Sequence, residues 1–220
     1  MSPLPILEAY PRPSHYVDVR RTAARVHHIT ADNPRGYPVR PRPWAQVHGI
    51  VLHQAAVDLG ERPARYETLA AHFGVTRAGL VVHCHDIDDM VVHANGFNQQ
   101  CVGIEFSGMY AGVEGVLSTF WKPHPDAKPQ KFTREAAESG KQLVRWICSE
   151  VARNGGQVRS LVSHRQASSQ RRSDPGSEIW QQVALPMMEE LGLSDGGSGF
   201  KIDDGRANPV EWDASRSERY

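Results

Sequence analysis

Cysteines are few in this sequence, and long apolar runs are missing. The three cysteines (Cys84, Cys101 and Cys148) are too few for a disulfide scaffold, and none belongs to a Cys-x-x-Cys pair. No apolar segment reaches the roughly 18 to 20 residues that span a bilayer. We therefore expect neither a disulfide-stabilised fold nor insertion into a membrane.

Neither sign of charge is in excess. Lysine and arginine together number 25, as do aspartate and glutamate, so the formal net charge is zero. A chain with no net charge is not strongly attracted to nucleic acid or to an anionic membrane surface. We therefore expect no nucleic acid partner.

The N-terminal segment also lacks the features of a secretion signal. Prolines and Glu8 stand where a signal needs a basic stretch and an apolar run. The low cysteine content fits a reducing compartment. The expectation is a cytoplasmic protein, or one exported by a route other than classical secretion.

Length and composition predict one domain with extended ends. The chain has 220 residues, of which 40% are hydrophobic and 23% are charged, as is ordinary for a globular protein. Residues 1–43 are rich in proline and arginine, which predicts an extended N-terminal arm. Residues 194–220 begin with a glycine-rich stretch and turn polar, which predicts a flexible tail. The domain proper is placed at residues 44–193.

Hydrophobic periodicity predicts an α/β (mixed α+β) domain with a central, mostly mixed β-sheet flanked by helices. The first strand is apolar on both faces, which is typical of a central buried strand. In the strand at 101–107, Val102, Ile104 and Phe106 share one face and Glu105 lies on the other. The predicted strands are 47–53, 72–76, 80–85, 101–107 and 159–163, and the predicted helices are 64–71, 134–153 (capped by Thr133) and 179–191.

Two histidines follow predicted strands, and an aspartate comes soon after the second. His53 ends the first strand, His164 follows the last, and Asp174 lies ten residues beyond His164. A catalytic zinc ion needs three protein ligands of this type and one open position. Spacing alone leaves ordinary roles open for them: a core histidine, a loop histidine and a turn-forming aspartate before proline.

A second group of histidines and acids is close together in sequence: His83, His85, His93, Asp86, Asp88 and Asp89. Its spacing permits a second metal site, but strand alternation places His83 and His85 on one face equally well for packing.

Three tryptophans are predicted to be core or interface residues: Trp121, Trp146 and Trp180.

Several short motifs occur in one order along the chain: Val-Leu-His at 51–53, His-Phe at 72–73, Gly79, His-Ala at 93–94, Val-Gly-Ile-Glu-Phe at 102–106, Ser-His at 163–164 and Asp-Pro-Gly at 174–176. In this order the chain resembles the zinc-dependent N-acetylmuramoyl-L-alanine amidases (amidase type 2), the superfamily shared with phage amidase lysozymes and peptidoglycan recognition proteins. The resemblance covers residues 47–182. It implies the single-domain fold of that superfamily.

The resemblance also implies roles for individual residues. It implies one Zn²⁺ per chain, held by His53, His164 and Asp174. Glu105 matches the glutamate that handles the proton of the attacking water, which a carboxylate facing away from the core can do.

Three further residues receive predicted roles beside these four. Arg172 matches a position where the family often has a lysine beside the zinc. Its fixed positive charge can stabilise the oxyanion that forms during amide hydrolysis. Arg171 and Arg172 equally fit a solvated basic pair. His72 and His93 are expected to line the substrate cleft.

The function implied is hydrolysis of the amide between N-acetylmuramic acid and L-alanine, with peptidoglycan or a muropeptide as the substrate. Two alternatives stay open. One is a non-catalytic recognition module that binds the same ligand, although such relatives typically lack a metal ligand. The other is a zinc amidase for a different acyl-amino acid amide. With this function, we expect a cytoplasmic protein or one released by phage lysis or by a non-classical export system. The sequence does not determine the oligomeric state.

Overall fold

Six strands form one mixed sheet at the centre of the computed structural model, which describes residues 9–27, 39–113, 115–122 and 124–213. The strand order is β1-β5-β4-β7-β3-β8, and β2 and β6 form a separate antiparallel pair. The strands are β1 (Tyr16–Asp18), β2 (Arg40–Pro41), β3 (Gly49–Gln54), β4 (Phe73–Val75), β5 (Val81–His83), β6 (Asp89–Met90), β7 (Cys101–Phe106) and β8 (Ser160–Ser163).

The helices lie mostly in the C-terminal half: α1 (Arg20–His27), α2 (Arg134–Arg153), α3 (Ser177–Ile179) and α4 (Leu185–Leu191). A π-helical turn at Trp180–Ala184 joins α3 to α4. The helix predicted at 179–191 is therefore present but changes its hydrogen-bond pattern just before Pro186, whose missing N–H cannot continue an α-helical ladder.

The prediction of a helix at 64–71 is wrong. The structure has only a short 3₁₀ turn at Pro63–Arg65 there. A segment this short gains little from helix formation alone. Tyr66 is fully buried instead, and its hydroxyl donates to the Gly60 carbonyl at 2.7 Å.

The middle of the sheet is parallel, as β3 pairs with β7 on one side and with β8 on the other. Ile50 and Leu52 of β3 pack in the main core, whereas Val51 packs in a smaller cluster with Cys101 and Val162. Burial on both faces explains why this strand is apolar throughout. The predicted central strand and the α/β fold class are confirmed.

The main core lies between the sheet and α2. Thr133 caps α2 by accepting a hydrogen bond from the Ala136 N–H at 3.3 Å, as predicted. One stripe of α2 is buried together with Trp180 from the π-helical turn. Of the three tryptophans predicted as core or interface residues, Trp146 and Trp180 are buried, but Trp121 is 57% exposed.

Both ends of the chain contribute to this architecture. The predicted N-terminal arm supplies β1, which pairs in parallel with β5, and it supplies the buried Arg42. The predicted tail supplies Trp212, which is fully buried in the main core. A short edge strand and a lone buried aromatic leave little periodic signal in a sequence. The boundaries at 44 and 193 therefore stay a prediction.

None of the helices in the described part of the chain is long and apolar enough to cross a membrane.

Candidate metal centre

Three side chains from distant parts of the sequence meet at one end of the parallel strands. His53 Nδ1 lies 3.0 Å from His164 Nδ1, and His164 Nδ1 lies 3.0 Å from Asp174 Oδ2. All three residues are buried. Their ligand atoms lie within 4.8 Å of one another, which is close enough for one ion to reach all three.

Strand register explains the meeting of the two histidines. Leu52 of β3 is aligned with Ser163 of β8, so His53 and His164 come next on neighbouring strands. On the other side of β3, His53 is aligned with Glu105 of β7. Because the three strands are parallel, their carboxyl ends bring these side chains to one edge of the sheet.

Asp174 reaches the site from a loop that Gln54 holds in place. The Gln54 N–H donates to Asp174 Oδ1 at 2.9 Å, which leaves Oδ2 directed at His164. The Gln54 side-chain amide donates to the carbonyl oxygens of Ser173 and Tyr110, at 2.5 and 3.0 Å. The end of β3 therefore positions one ligand directly and another through this loop.

The glycine of the Asp-Pro-Gly motif is required by the same loop. Gly176 has a φ of +106°, which L side chains rarely adopt. A Cβ atom there would also lie 2.9 Å from Tyr110 Cβ and 3.0 Å from the Ala111 carbonyl oxygen. Glycine lets the chain turn from Asp174 into α3 without moving the ligand.

A chain of hydrogen bonds defines which ring nitrogen of His53 has a lone pair available for a metal ion. His93 Nε2 lies 3.2 Å from the carbonyl oxygen of Cys101, which can only accept, so this nitrogen carries the proton. His93 Nδ1 is then an acceptor, and it lies 3.0 Å from His53 Nε2. His53 Nε2 therefore donates, and the lone pair of His53 Nδ1 points at His164 and Asp174.

Gly103 of β7 makes room for the His93 ring. A Cβ atom at this position would lie 2.8 Å from His93 Nδ1. The glycine of the Gly-Ile-Glu strand therefore supports a histidine that contacts a candidate metal ligand. This explains why a glycine is accepted inside a buried strand, where it otherwise weakens packing.

His72, predicted to line the substrate cleft, lies inside the fold. It is fully buried, and its Nδ1 accepts from the Gly103 N–H at 2.9 Å. Its Nε2 lies 2.9 Å from the Asp89 carbonyl oxygen and therefore donates to it. With both ring nitrogens occupied, His72 has no polar group to offer a substrate. His93, the other residue expected in the cleft, is likewise occupied at both nitrogens by Cys101 and His53.

Glu105 lies beside the three ligands on the face of β7 away from the main core, as expected from strand alternation. Burial, and then the charge of Asp174, raise the pKa of this carboxyl group to about 8, while the charge of Arg171 opposes the rise. A carboxyl group with a pKa near neutrality exchanges its proton readily at physiological pH, as a general acid or base must.

Arg171 lies next to the site. It lines a small cavity of about 40 Å³ together with Asp174, Gln54 and Trp121, and its charge acts on both His53 and Glu105. Arg172, for which the sequence predicted this place, lines a different and larger cavity. Two consecutive residues in a loop point in different directions, and sequence spacing cannot tell them apart.

The donor set fits a zinc ion. Two imidazole nitrogens and one carboxylate oxygen are the ligands of many catalytic zinc sites. Burial and the neighbouring His164 and His93 lower the pKa of His53 well below its usual value, which keeps the ring in the neutral form that binds metal. No other such group of histidine, cysteine and acidic side chains occurs in the residues that the structure describes.

Sequence reasoning missed the roles of Gln54 and Arg171 and the position of Trp121. Gln54 follows His53 directly, and its place at the end of a buried strand is the signal that could have drawn attention to it. Arg171 and Trp121 belong to loops whose course depends on tertiary packing. No periodicity marks them in the sequence.

Comparison with known proteins agrees with this architecture. Residues 43–177 match the model of the N-acetylmuramoyl-L-alanine amidase family. No curated protein matches the chain significantly. Among solved structures, the N-acetylmuramoyl-L-alanine amidase LysC from Clostridium intestinale is similar with a TM-score of 0.50 and 16% identity, over 71% of this chain and 91% of that one.

Two structures of peptidoglycan recognition proteins are also similar. A mutant of Drosophila PGRP-LB in complex with tracheal cytotoxin has a TM-score of 0.50 and 14% identity, over 83% of this chain and 98% of that one. The ectodomain complex of PGRP-LCa and PGRP-LCx with the same ligand gives 0.51 and 16%, over 83% and 99%. At these identities the likeness establishes the fold. The family match covers more than half of the sequence, and the chain therefore belongs to the N-acetylmuramoyl-L-alanine amidase family.

Proposed function

We propose that this protein is a zinc-dependent amidase that hydrolyses the amide between N-acetylmuramic acid and L-alanine in peptidoglycan or muropeptides. The observation that carries this function is the convergence of His53, His164 and Asp174 beside Glu105 at the ends of three parallel strands. Membership of the amidase family supports the reaction. Two structures of the same fold contain tracheal cytotoxin, which supports a muropeptide as the ligand.

His53, His164 and Asp174 would hold one zinc ion through Nδ1, Nδ1 and Oδ2. A zinc ion with three protein ligands lowers the pKa of water and polarises a carbonyl group. The hydrogen bonds from His53 to His93 and from the Gln54 N–H to Asp174 keep the ligand atoms directed at one point before any ion binds. Such preorganisation raises metal affinity, because little side-chain entropy is lost on binding.

Glu105 would act as the proton carrier. Its carboxylate takes the proton of the attacking water, and its protonated form gives that proton to the leaving amine of L-alanine. A pKa raised to about 8 by burial suits the second step. A bound dication would favour the carboxylate and lower this pKa, which suits the first step.

Arg171 would stabilise the oxyanion that develops on the scissile carbonyl. Its fixed charge faces the same small cavity as Asp174, and a guanidinium stays charged throughout the reaction. In this proposal Arg171 takes the role that the sequence predicted for Arg172. His93 orients His53 and does not contact the substrate.

Product analysis by mass spectrometry tests this function. The zinc-loaded protein is incubated with purified muropeptides, and Glu105→Gln is the matched control because it keeps the size of the side chain. We expect free peptide that begins with L-alanine, together with peptide-free muramyl sugar, and turnover by the control that is lower by about 10²-fold or more. Intact muropeptide from a protein that retains zinc would reject this substrate. Binding without cleavage would favour the recognition module, and cleavage of other acyl-amino acid amides would favour the second alternative.

A further inference from the structure

The candidate ligand His164 lies on an element that has little stability of its own. It begins a single 3₁₀ turn (His164–Ala167) directly after β8, and β8 is an edge strand of the six-stranded sheet. A turn of this length makes few internal hydrogen bonds, and an edge strand presents backbone groups that the sheet does not pair. Contacts with other parts of the chain are therefore needed to fix the position of His164.

The C-terminal segment (residues 194–212) covers this edge. The Leu161 N–H of β8 donates to the Ser194 carbonyl at 3.0 Å, and the Ser194 N–H donates to the Arg159 carbonyl at 3.0 Å. The segment lies outside the matched family region, which ends at residue 177. It gives β8 hydrogen-bond partners that the matched region does not contain.

The same segment continues along the 3₁₀ turn, with backbone against backbone. The Ile202 N–H donates to the Gln166 carbonyl at 2.9 Å. The Arg206 N–H donates to the Arg165 carbonyl at 2.7 Å. Gly205 lies between these two bonds, and a Cβ atom there would lie 2.0 Å from the Gln166 carbonyl oxygen. Glycine thus permits the close approach that ties the segment to the two residues directly after the ligand.

Two aromatic residues anchor the segment on either side of these contacts. Phe200 packs against the small cluster that includes Val51 of β3 and Val162 of β8. Trp212 is fully buried in the main core, and its ring lies 5.8 Å from the ring of Trp180. Because buried aromatic side chains contribute strongly to the stability of a fold, the stretch between the two anchors is a fixed part of the structure.

Asn208 connects this stretch to the residue that precedes the ligand. The hydroxyl of Ser163, which is fully buried, donates to Asn208 Oδ1 at 2.6 Å. Ser163 is the last residue of β8 and the N-terminal cap of the turn, so its position determines where His164 begins. Asn208 Nδ2 is buried without a hydrogen-bond partner in the described part of the chain, so the side chain acts through its oxygen.

We infer that the C-terminal segment holds His164 in place for metal binding, with Asn208 as a positioning residue that acts through Ser163. The inference rests on the zinc site of the proposed function. A ligand that is already held in place loses little conformational freedom when an ion binds, so zinc affinity depends on the segment as well as on the three ligands. The functional unit therefore extends beyond the matched family region.

Chelator competition for zinc tests this role. Asn208→Leu removes the acceptor at similar size, and we expect zinc affinity to fall about 10-fold, the lower end of what partners outside the ligand set contribute. Asn208→Asp keeps an oxygen acceptor and is expected to recover most of the loss. Asn154→Leu is the matched control, because Asn154 is an exposed asparagine that ends α2 and precedes β8, whereas His164 follows β8.

Affinities are measured where each zinc-free variant is fully folded, so that a purely structural loss leaves them unchanged. Ser163→Ala removes the same hydrogen bond from its other side, and it serves if Asn208→Leu does not fold. The double variant is expected to lose no more affinity than either single variant, because both changes remove one interaction. Parental affinity in both single variants, additive losses, or a loss that Asn208→Asp shares in full would overturn the inference.

The outcome is separable from the proposed reaction, since zinc binding is measured without substrate. Zinc affinity that depends on Asn208, in a protein without amidase activity, would support the inference and reject the reaction. Amidase activity in a protein whose zinc affinity is indifferent to Asn208 would do the reverse.

Discussion

Two groups of histidines lie in the described part of this molecule, and only one of them forms a candidate metal site there. His53 and His164 follow parallel strands, and their Nδ1 atoms face each other at 3.0 Å next to Asp174. His83 lies on β5, which pairs with β4 in the antiparallel part of the sheet. Its ring stacks on Phe73 at 4.3 Å, and its Nδ1 is hydrogen-bonded to the Tyr16 hydroxyl.

The difference lies in where the side chains point. Parallel strands collect residues from several chain segments at one edge, where a ligand can reach them. The His83 ring is instead enclosed by aromatic rings, and burial lowers the pKa of His83 to about 4, so the ring stays neutral. The second metal site that the sequence permitted around His83 and His85 does not form within the described residues.

Removal of a ligand is expected to have the largest effect. Asp174→Ala should abolish amidase activity and weaken zinc binding by more than the roughly 10- to 100-fold that outer partners of a metal site contribute. Zinc content after dialysis and turnover of muropeptide measure the two effects. Asp126→Ala, at a fully exposed aspartate, is the control. Undiminished zinc content in Asp174→Ala would reject the site.

Glu105→Gln separates chemistry from metal binding. The amide has the same shape but cannot accept the proton, so turnover should fall about 10²- to 10⁴-fold, as is usual when a general acid or base is lost. Zinc affinity and the unfolding midpoint should stay close to those of the parent protein. Activity at the parental level would show that another group moves the proton.

His93 sharpens the comparison, because it touches the site without being one of the three ligands. His93→Leu removes the acceptor for His53 Nε2 and should lower zinc affinity about 10- to 100-fold. His93→Asn can return an acceptor near the Nδ1 position and should recover part of the loss. Competition with a chromophoric chelator measures both variants. If leucine and asparagine have the same effect, His93 acts only by filling space.

The smallest effect is expected in the other histidine group. His83→Phe keeps the stacking on Phe73 but loses the hydrogen bond to Tyr16, so the free energy of unfolding should fall by about 1 kcal/mol. Zinc affinity should not change. Urea unfolding and chelator competition check the two parts. A loss of zinc from this variant would mean that the two groups are coupled.

The local sequence pattern was sufficient to predict the regular strands and helices. Alternation identified β7 and the faces of Ile104 and Glu105, and Thr133 marked the start of α2. The order of the short motifs identified the family, which the match over residues 43–177 confirms. The helix predicted at 64–71 failed because tertiary burial of Tyr66 outweighs a weak helical preference.

The roles of loop residues could not be predicted in the same way. Arg171 and Arg172 are neighbours of the same residue type, which the sequence cannot tell apart. In the structure Arg171 faces the metal centre and Arg172 lines the larger cavity. His72 and His93 were expected to meet the substrate, but hydrogen bonds to backbone carbonyls occupy them. These outcomes depend on how loops and strands pack against one another, which no local periodicity marks.

By itself, the sequence determined the class of fold, the family, and the residues with the chemistry to hold a metal ion. The fold class follows from strand periodicity, the family from the order of the short motifs, and the candidate ligands from side-chain types that zinc prefers. Tertiary structure alone decided that His53 presents Nδ1 to the site, that Arg171 faces it, and that the C-terminal segment buries Trp212 in the main core. The physical reason is that hydrogen-bond direction and burial are set by contacts between separate segments of the chain, such as the 2.9 Å bond from the Gln54 N–H to Asp174 and the 3.0 Å bond between His53 and His93.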